Sequence, residues 1–153
     1  MKGLIREILV SPASAAPMQG VTEAHLVAGR GIDGDRYAND SGTFSPKLKG
    51  RPDKEVTLIE SEEVDAFNKQ ALFGYPYAAF RRNLVTSGIR LNDLAGKEFT
   101  VGTVRLRGIR LCEPCATLAR QLGQEVLQHM LHKCGLRAEV LQGGTIKPGD
   151  SIV

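Results

Sequence analysis

The sequence predicts a mainly β protein, a mixed-topology β-barrel with two or three peripheral helices. Three observations lead there. About six to eight short runs rich in Val, Ile, Leu and Thr are spread along the chain, many joined by tight turns. Helical patterns are confined to two or three stretches and do not alternate with the strands, which argues against a doubly wound parallel sheet. Glycine is frequent, at 17 of 153 residues, and supplies the turns.

Leu4 to Val10 reads as a strand closed by the Ser11-Pro12 turn, and Val21 to Ala28 as a weaker one. Gly29 to Gly50 is a long stretch punctuated by Gly, Ser and Pro. Such lengths without periodicity are usually functional or disordered. Glu55 to Ile59 is a β-type run. Ser61 then reads as a helix N-cap, with Glu62 and Glu63 favoured by the helix dipole in the first turn. Val64, Phe67, Ala71 and Leu72 keep helical spacing to an end near Gly74, beyond which Pro76 bars continuation.

Asn83 to Thr86 is the next strand candidate, followed by Phe99 to Val101 and Val104 to Leu111 around a turn at Gly102. In the last of these, Val104 and Leu106 share one face. After Gly108 the apolar phase flips to Ile109 and Leu111, the mark of a bulge that re-aims the chain before Cys112. Pro114 suits a first helical turn. Leu118, Leu122, Val126 and Met130 follow at four-residue spacing, with a break at Gly123. Cys134-Gly135 reads as a C-terminal cap, Arg137 to Leu141 as a long strand, and Ser151 to Val153 as a terminal strand stub.

Length corresponds to a single domain, residues 1–153, large enough to build a core without staples. Lys and Arg total 20 against 17 Asp and Glu, a net charge of +3. That excess is too small to point to nucleic acid or an anionic membrane. No stretch of about 18 apolar residues suggests a membrane span. Arg6 and Glu7 interrupt the apolar start, so export is not expected. Three cysteines make no disulfide framework, and the chain is read as cytoplasmic with reduced thiols.

Cys112-Glu113-Pro114-Cys115 is the sharpest chemical signal. Placed in a first helical turn, Cys115 would have its thiolate favoured by the helix dipole and could act as a nucleophile, a redox partner or a soft metal ligand. Inert packing, a dithiol and a zinc set drawn from Cys112, Cys115, His129, His132 and Cys134 remain open alternatives. Gly29-Arg30-Gly31-Ile32-Asp33-Gly34 matches G-x-G-x-x-G, yet no helical stripe follows it. A glycine turn that presents Arg30 and Arg36 to a phosphate fits better than dinucleotide binding. Phe80-Arg81-Arg82-Asn83 reads either as rim charges or as a pocket mouth that binds an anion. His25, His129 and His132 form no triad pattern.

In order along the chain, G-I-D-G-D-R (31–36), E-V-T-L-I-E (55–60), F-R-R-N-L-V-T-S-G (80–88), L-x-G-x-x-F-x-V-G (94–102), C-E-P-C (112–115) and G-G-x-I-x-x-G-D (143–150) resemble the MOSC domain, the C-terminal domain of molybdenum-cofactor sulfurases. The resemblance implies a mixed β-barrel that binds the molybdenum cofactor, molybdopterin. It maps the reactive or molybdenum-ligating cysteine to Cys115. Gly34, Asp35, Arg36, Arg81 and Asn83, with Cys112 beside them, become candidate cofactor-pocket residues. Many relatives carry His after Gly-Asp-Arg, where this chain has Tyr37. The sulfurase's pyridoxal-phosphate domain has no counterpart here, so no pyridoxal-phosphate site is expected. The implied activity is two-electron reduction of an N-hydroxylated small molecule, with electrons from a separate donor protein. The alternatives are a sulfur carrier holding a persulfide on Cys115, with a sulfur donor and acceptor as partners, and a zinc-stabilised interaction domain. Neither nucleic acid nor a membrane is an expected partner.

Overall fold

The computed structural model describes residues 3–13, 16–39 and 55–153. Its strands are β1 (Gly3–Val10), β2 (Gln19–Val21), β3 (Ala24–Val27), β4 (Gly31–Ile32), β5 (Val56–Glu60), β6 (Leu84–Ser87), β7 (Glu98–Val101), β8 (Val104–Leu111), β9 (Leu136–Gln142), β10 (Gly144–Ile146) and β11 (Ser151–Ile152). The helices are α1 (Ser61–Ala71), α2 (Ala116–Leu122) and α3 (Glu125–His129), with 3-10 turns at Tyr77–Phe80 and Leu91–Leu94.

Among the described residues, β11-β7-β8-β9-β5-β6-β1 run side by side, and β1 pairs back onto β11 to close a seven-strand barrel. The β5–β6 pair is parallel and the others antiparallel, so the topology is mixed. The stretch expected as one weak strand at Val21–Ala28 is two: β2 joins β1, while β3 pairs with β10 and β4 in a small second sheet. Residues 40–50 of the long Gly29–Gly50 stretch lie outside the described residues. No helix among the described residues is long and apolar enough to cross a membrane.

Alternation along the strands divides the apolar residues between two cores. Val56 and Leu58 of β5 and Leu84 of β6 point into the barrel, while Ile59 and Val85 point outward. Ile5 and Ile8 both face inward although three residues apart, because a bulge between Ile5 and Glu7 shifts the register of β1. The outward set meets Val64 and Phe67 of α1, Leu118 and Leu122 of α2, and Val126 and Met130 around α3. This second core, between helices and barrel wall, supports the candidate site.

Three local expectations are corrected. Ser61 is the first helical residue rather than the cap, because β5 runs straight into α1 and the extended residue before the helix is Glu60. α1 stops at Ala71, with Leu72 left-handed (φ 59°), because the Asn68 side chain brackets the Tyr75 backbone and turns the chain before Gly74. Cys134-Gly135 does not cap α3, which ends at His129; it forms the entry to β9. The bulge at Gly108 is present, and a side chain there would collide with the Leu94 carbonyl.

Gly135 is the tighter constraint. Its φ is +115°, a Cβ would fall on the Leu58 carbonyl oxygen, and its own carbonyl accepts from the Cys112 N–H at 2.8 Å. Gly135→Ala is expected to destabilise the fold by about 3 kcal/mol, combining backbone strain and overpacking. Thermal denaturation checks this, and a melting temperature equal to wild type contradicts it.

Candidate functional site

The chain leaves β8 through Cys112 and Glu113 and enters α2 only after Pro114 and Cys115. Cys115 is therefore the N-cap of α2, extended at φ −130° and ψ 172°, not a first-turn residue. The reason lies in Arg82. Its guanidinium donates to the carbonyls of Cys112 (3.2 Å) and Glu113 (3.4 Å), which holds this segment on the barrel wall. Nε of Arg82 also donates to the Cys134 carbonyl at 2.9 Å, Nη1 to Phe80 at 3.1 Å, and Nη2 to Cys134 Sγ at 3.2 Å. Glu113 is held from the other side, accepting from the His132 N–H at 2.7 Å, with His132 Nδ1 at 2.6 Å.

Burial works against the Arg82 charge, but Cys112, Cys134, Tyr37 and Cys115 around it outweigh that and hold its pKa above the ordinary arginine value. Burial pushes the Cys134 thiol up to about 11, against the pull of Arg82, so it is neutral at neutral pH. Arg81 is shifted down, by burial first and by the like charge of Arg36 second.

Cys115 is partly buried and lines a narrow cleft. Arg36, Arg81 and Arg82 line its cationic side, with Tyr37 beside them. Thr117, Leu118 and Gln121 of α2 line the other. Arg81 sits in the left-handed region (φ 58°), and Nη1 donates to the Ala16 carbonyl at 2.8 Å. Arg36 is nearly enclosed. Its guanidinium donates to Asp35 Oδ1 at 3.1 Å and to the Arg81 carbonyl at 2.8 Å, so it sets the Arg81 backbone as well as the wall charge.

Cys115, Arg36 and Arg81 thus share one cleft. Four other sequence-predicted residues are not among its lining. Asp35 is buried within its turn, accepting from the N–H groups of Ser11 and Tyr37. Gly34 provides the positive φ (+88°) of that turn. Cys112 is buried, and its carbonyl serves Arg82. Asn83 is fully buried: its Oδ1 accepts from the Thr57 N–H, and its Nδ2 donates to the Leu9 carbonyl, both at 3.1 Å. It pins β5 and β1 across β6. Asn83→Leu is accordingly expected to lower stability by about 2–4 kcal/mol by stranding those partners. Chemical denaturation measures this, and an unaltered midpoint contradicts the pinning role.

Thr117 and Gln121 were not singled out from sequence; Arg82 stood in the Phe80–Asn83 cluster, and Leu118 and Tyr37 were noted only for helical spacing and for following Gly-Asp-Arg. Helical spacing carried a signal for Thr117, Leu118 and Gln121, which share one face of α2. Among the described residues, no three His, Cys, Asp or Glu side chains are placed to hold a metal ion, so the alternative zinc set is not assembled. The chain after Gly29–Gly34 continues as turns through Asn39, not as the helix that dinucleotide binding requires.

The MOSC domain family model matches residues 45–153, more than half of the chain, with the Gly-Asp-Arg turn outside the match. No curated protein matches the sequence. The YUAD protein from Bacillus subtilis is 16% identical with a TM-score of 0.83, the match covering 99% of this chain and 94% of that one. YiiM from Geobacillus stearothermophilus is 19% identical with a TM-score of 0.75, covering 99% and 74%. YiiM from Escherichia coli is also 19% identical, with a TM-score of 0.69 and coverage of 99% and 68%. These structures share the fold, and the family match covers the barrel from β5 onward together with Cys115. The chain belongs to the MOSC domain family.

Proposed function

We propose that the protein binds the molybdenum cofactor in this cleft, with Cys115 as a ligand of the metal, and reduces N-hydroxylated small molecules. The observation that supports this most is the partly buried Cys115 in a cleft that Arg36, Arg81 and Arg82 also line. A soft sulfur suits a thiophilic metal, and arginine suits a phosphate-bearing organic ligand. When bound, the cofactor supplies two-electron redox chemistry.

The chain's own residues supply the setting. Arg81 presents positive charge to an anionic ligand, while Arg82, turned onto backbone carbonyls and Cys134 Sγ, holds the wall behind it. Arg36 fixes the Arg81 backbone, and Asp35 and Gly34 hold the turn that carries Arg36. Leu118 contributes an apolar wall, while Thr117 and Gln121 offer hydrogen bonds to a small substrate. Electrons come from a separate donor protein.

Protein purified from cells with intact cofactor synthesis tests this reading. The expected result is about one molybdenum and one pterin per chain, an unmodified Cys115 thiol, and turnover of a hydroxamic acid with a chemical reductant. A chain without pterin or molybdenum overturns it. A labile extra sulfur on Cys115, seen by mass spectrometry, favours a sulfur carrier instead.

A further inference from the structure

Glu113 stands between the two cysteines of the 112–115 motif, and its side chain has no part in the reading above. Both of its carboxylate oxygens go to one residue, His132. Oε1 accepts from the His132 N–H at 2.7 Å, and Oε2 lies 2.6 Å from Nδ1. A carboxylate only accepts, so Nδ1 carries a ring proton in this contact. His132 is in the left-handed region (φ 62°), a conformation that a residue with a Cβ keeps only where its surroundings hold it. The Asn92 amide holds it from the other end, donating to the His132 carbonyl at 2.8 Å. Asn92 belongs to the 3-10 turn Leu91–Leu94, whose Leu91 N–H is tied to Glu60 Oε2 at the end of β5.

Only Pro114 separates Glu113 from Cys115. Its ring fixes φ, which leaves ψ as the one soft torsion of that residue. A rotation of Glu113 therefore carries Cys115 with it. The Cys115 carbonyl in turn accepts from the Ala119 N–H at 2.9 Å, the opening bond of α2. On the buried side, Arg82 takes the carbonyls of Cys112 and Glu113. On the exposed side, the Glu113 carboxylate takes His132. One grip alone leaves a pivot; the two together fix the direction in which the chain enters Cys115.

We propose that Glu113 is the positioning residue of Cys115: through the left-handed His132 it fixes the cysteine at the cleft. That this serves a bound metal rests on the function proposed above; the fixing itself concerns the chain alone. Both Glu113 contacts are made on the exposed side, so their removal frees the segment without unfolding the barrel. Glutamine can keep both without the charge. Its carbonyl oxygen accepts from the His132 N–H, and its amide donates to a neutral Nδ1. Placement thus depends on the two hydrogen bonds, and a glutamine restores it where an alanine does not.

Cys112 and Cys134 are buried, so iodoacetamide applied to cofactor-free protein reads Cys115, with peptide mass mapping to confirm the site. Glu113→Ala is expected to raise the Cys115 alkylation rate at least about threefold, at a melting temperature within about 3 °C of wild type. Glu113→Gln is expected to stay within about twofold of the wild-type rate, whereas an effect of charge alone would appear equally in both variants. His132→Gly suits the left-handed backbone and keeps the N–H. It is expected to raise the rate as well and to add nothing to Glu113→Ala, since both act through one contact. In protein from cells with intact cofactor synthesis, molybdenum per chain is expected to fall at least about threefold in Glu113→Ala and to be retained in Glu113→Gln. An alanine variant alkylated at the wild-type rate, a glutamine variant as fast as the alanine, or additive effects of the two sites overturn the positioning role. Full molybdenum in Glu113→Ala beside a loaded wild type overturns it too. A wild type without molybdenum overturns the function proposed above, and the alkylation rates then decide the positioning role by themselves.

Discussion

Arg82→Met is expected to unfold the protein at a temperature lower by roughly 10 °C or more, from a loss of about 3–5 kcal/mol. The reasoning follows what the guanidinium holds. It donates to four carbonyls, those of Phe80, Cys112, Glu113 and Cys134, and to the Cys134 sulfur. Methionine fills much of the same space but donates nothing, so these buried acceptors lose their partner. Hydrogen bonds from a charged donor contribute about 1.5–3 kcal/mol each, less the cost of burying the charge. The loss is also local. Without Arg82 the Cys112–Glu113 segment keeps only the Cys112 N–H bond to Gly135 and the Glu113 contacts with His132, so Cys115 is held less firmly at the cleft. Arg82→Lys keeps the charge but cannot reach four acceptors in different directions, so it is expected to restore less than half of the lost stability. Differential scanning calorimetry measures both variants, and a methionine variant as stable as wild type contradicts the anchoring role.

Cys115→Ala is expected to leave the fold intact and remove the cofactor. The side chain is only partly packed against the second core, so its truncation leaves little cavity. The sulfur, by contrast, is the soft donor in the cleft. Retained molybdenum and pterin are expected to fall below about a tenth of the wild-type level, a change worth at least about 1.4 kcal/mol in binding. Cys115→Ser keeps a similar volume but offers a hard oxygen, and it is expected to behave like the alanine variant. Full retention of molybdenum in both, at unchanged melting temperature, contradicts the ligand assignment.

The two variants separate anchoring from ligation, because Arg82 acts through the wall and Cys115 through the cleft. The difference between them also explains what the sequence shows and what it hides. The strands are visible because alternation sorts their residues cleanly, as at Val56, Leu58 and Ile59. Gly108 announces its bulge through the phase flip, since the register change and the apolar pattern have one cause. The boundary errors at Ser61 and Cys115 arise where a strand runs straight on or where a distant side chain holds the segment extended.

The double arginine was ambiguous for a related reason. In a regular strand, Arg81 and Arg82 would point to opposite sides. The left-handed backbone at Arg81 breaks that alternation, and both residues border the cleft. Asn83 was expected at the pocket because a polar residue that opens an apolar strand resembles a ligand contact. Its partners, Thr57 and Leu9, are distant in sequence, so its pinning role emerges only once β1, β5 and β6 are adjacent. Tyr37 and Arg36 are placed by a turn whose closing bond, Asp35 to the Ser11 N–H, likewise spans the chain.

The central claim is that the Cys115 sulfur meets molybdenum in this cleft. X-ray absorption at the molybdenum edge tests it most directly, applied to wild type and to whatever loaded fraction of Cys115→Ser can be isolated. The account predicts one sulfur neighbour fewer in the serine variant than in wild type. An identical sulfur shell in the two proteins would contradict it.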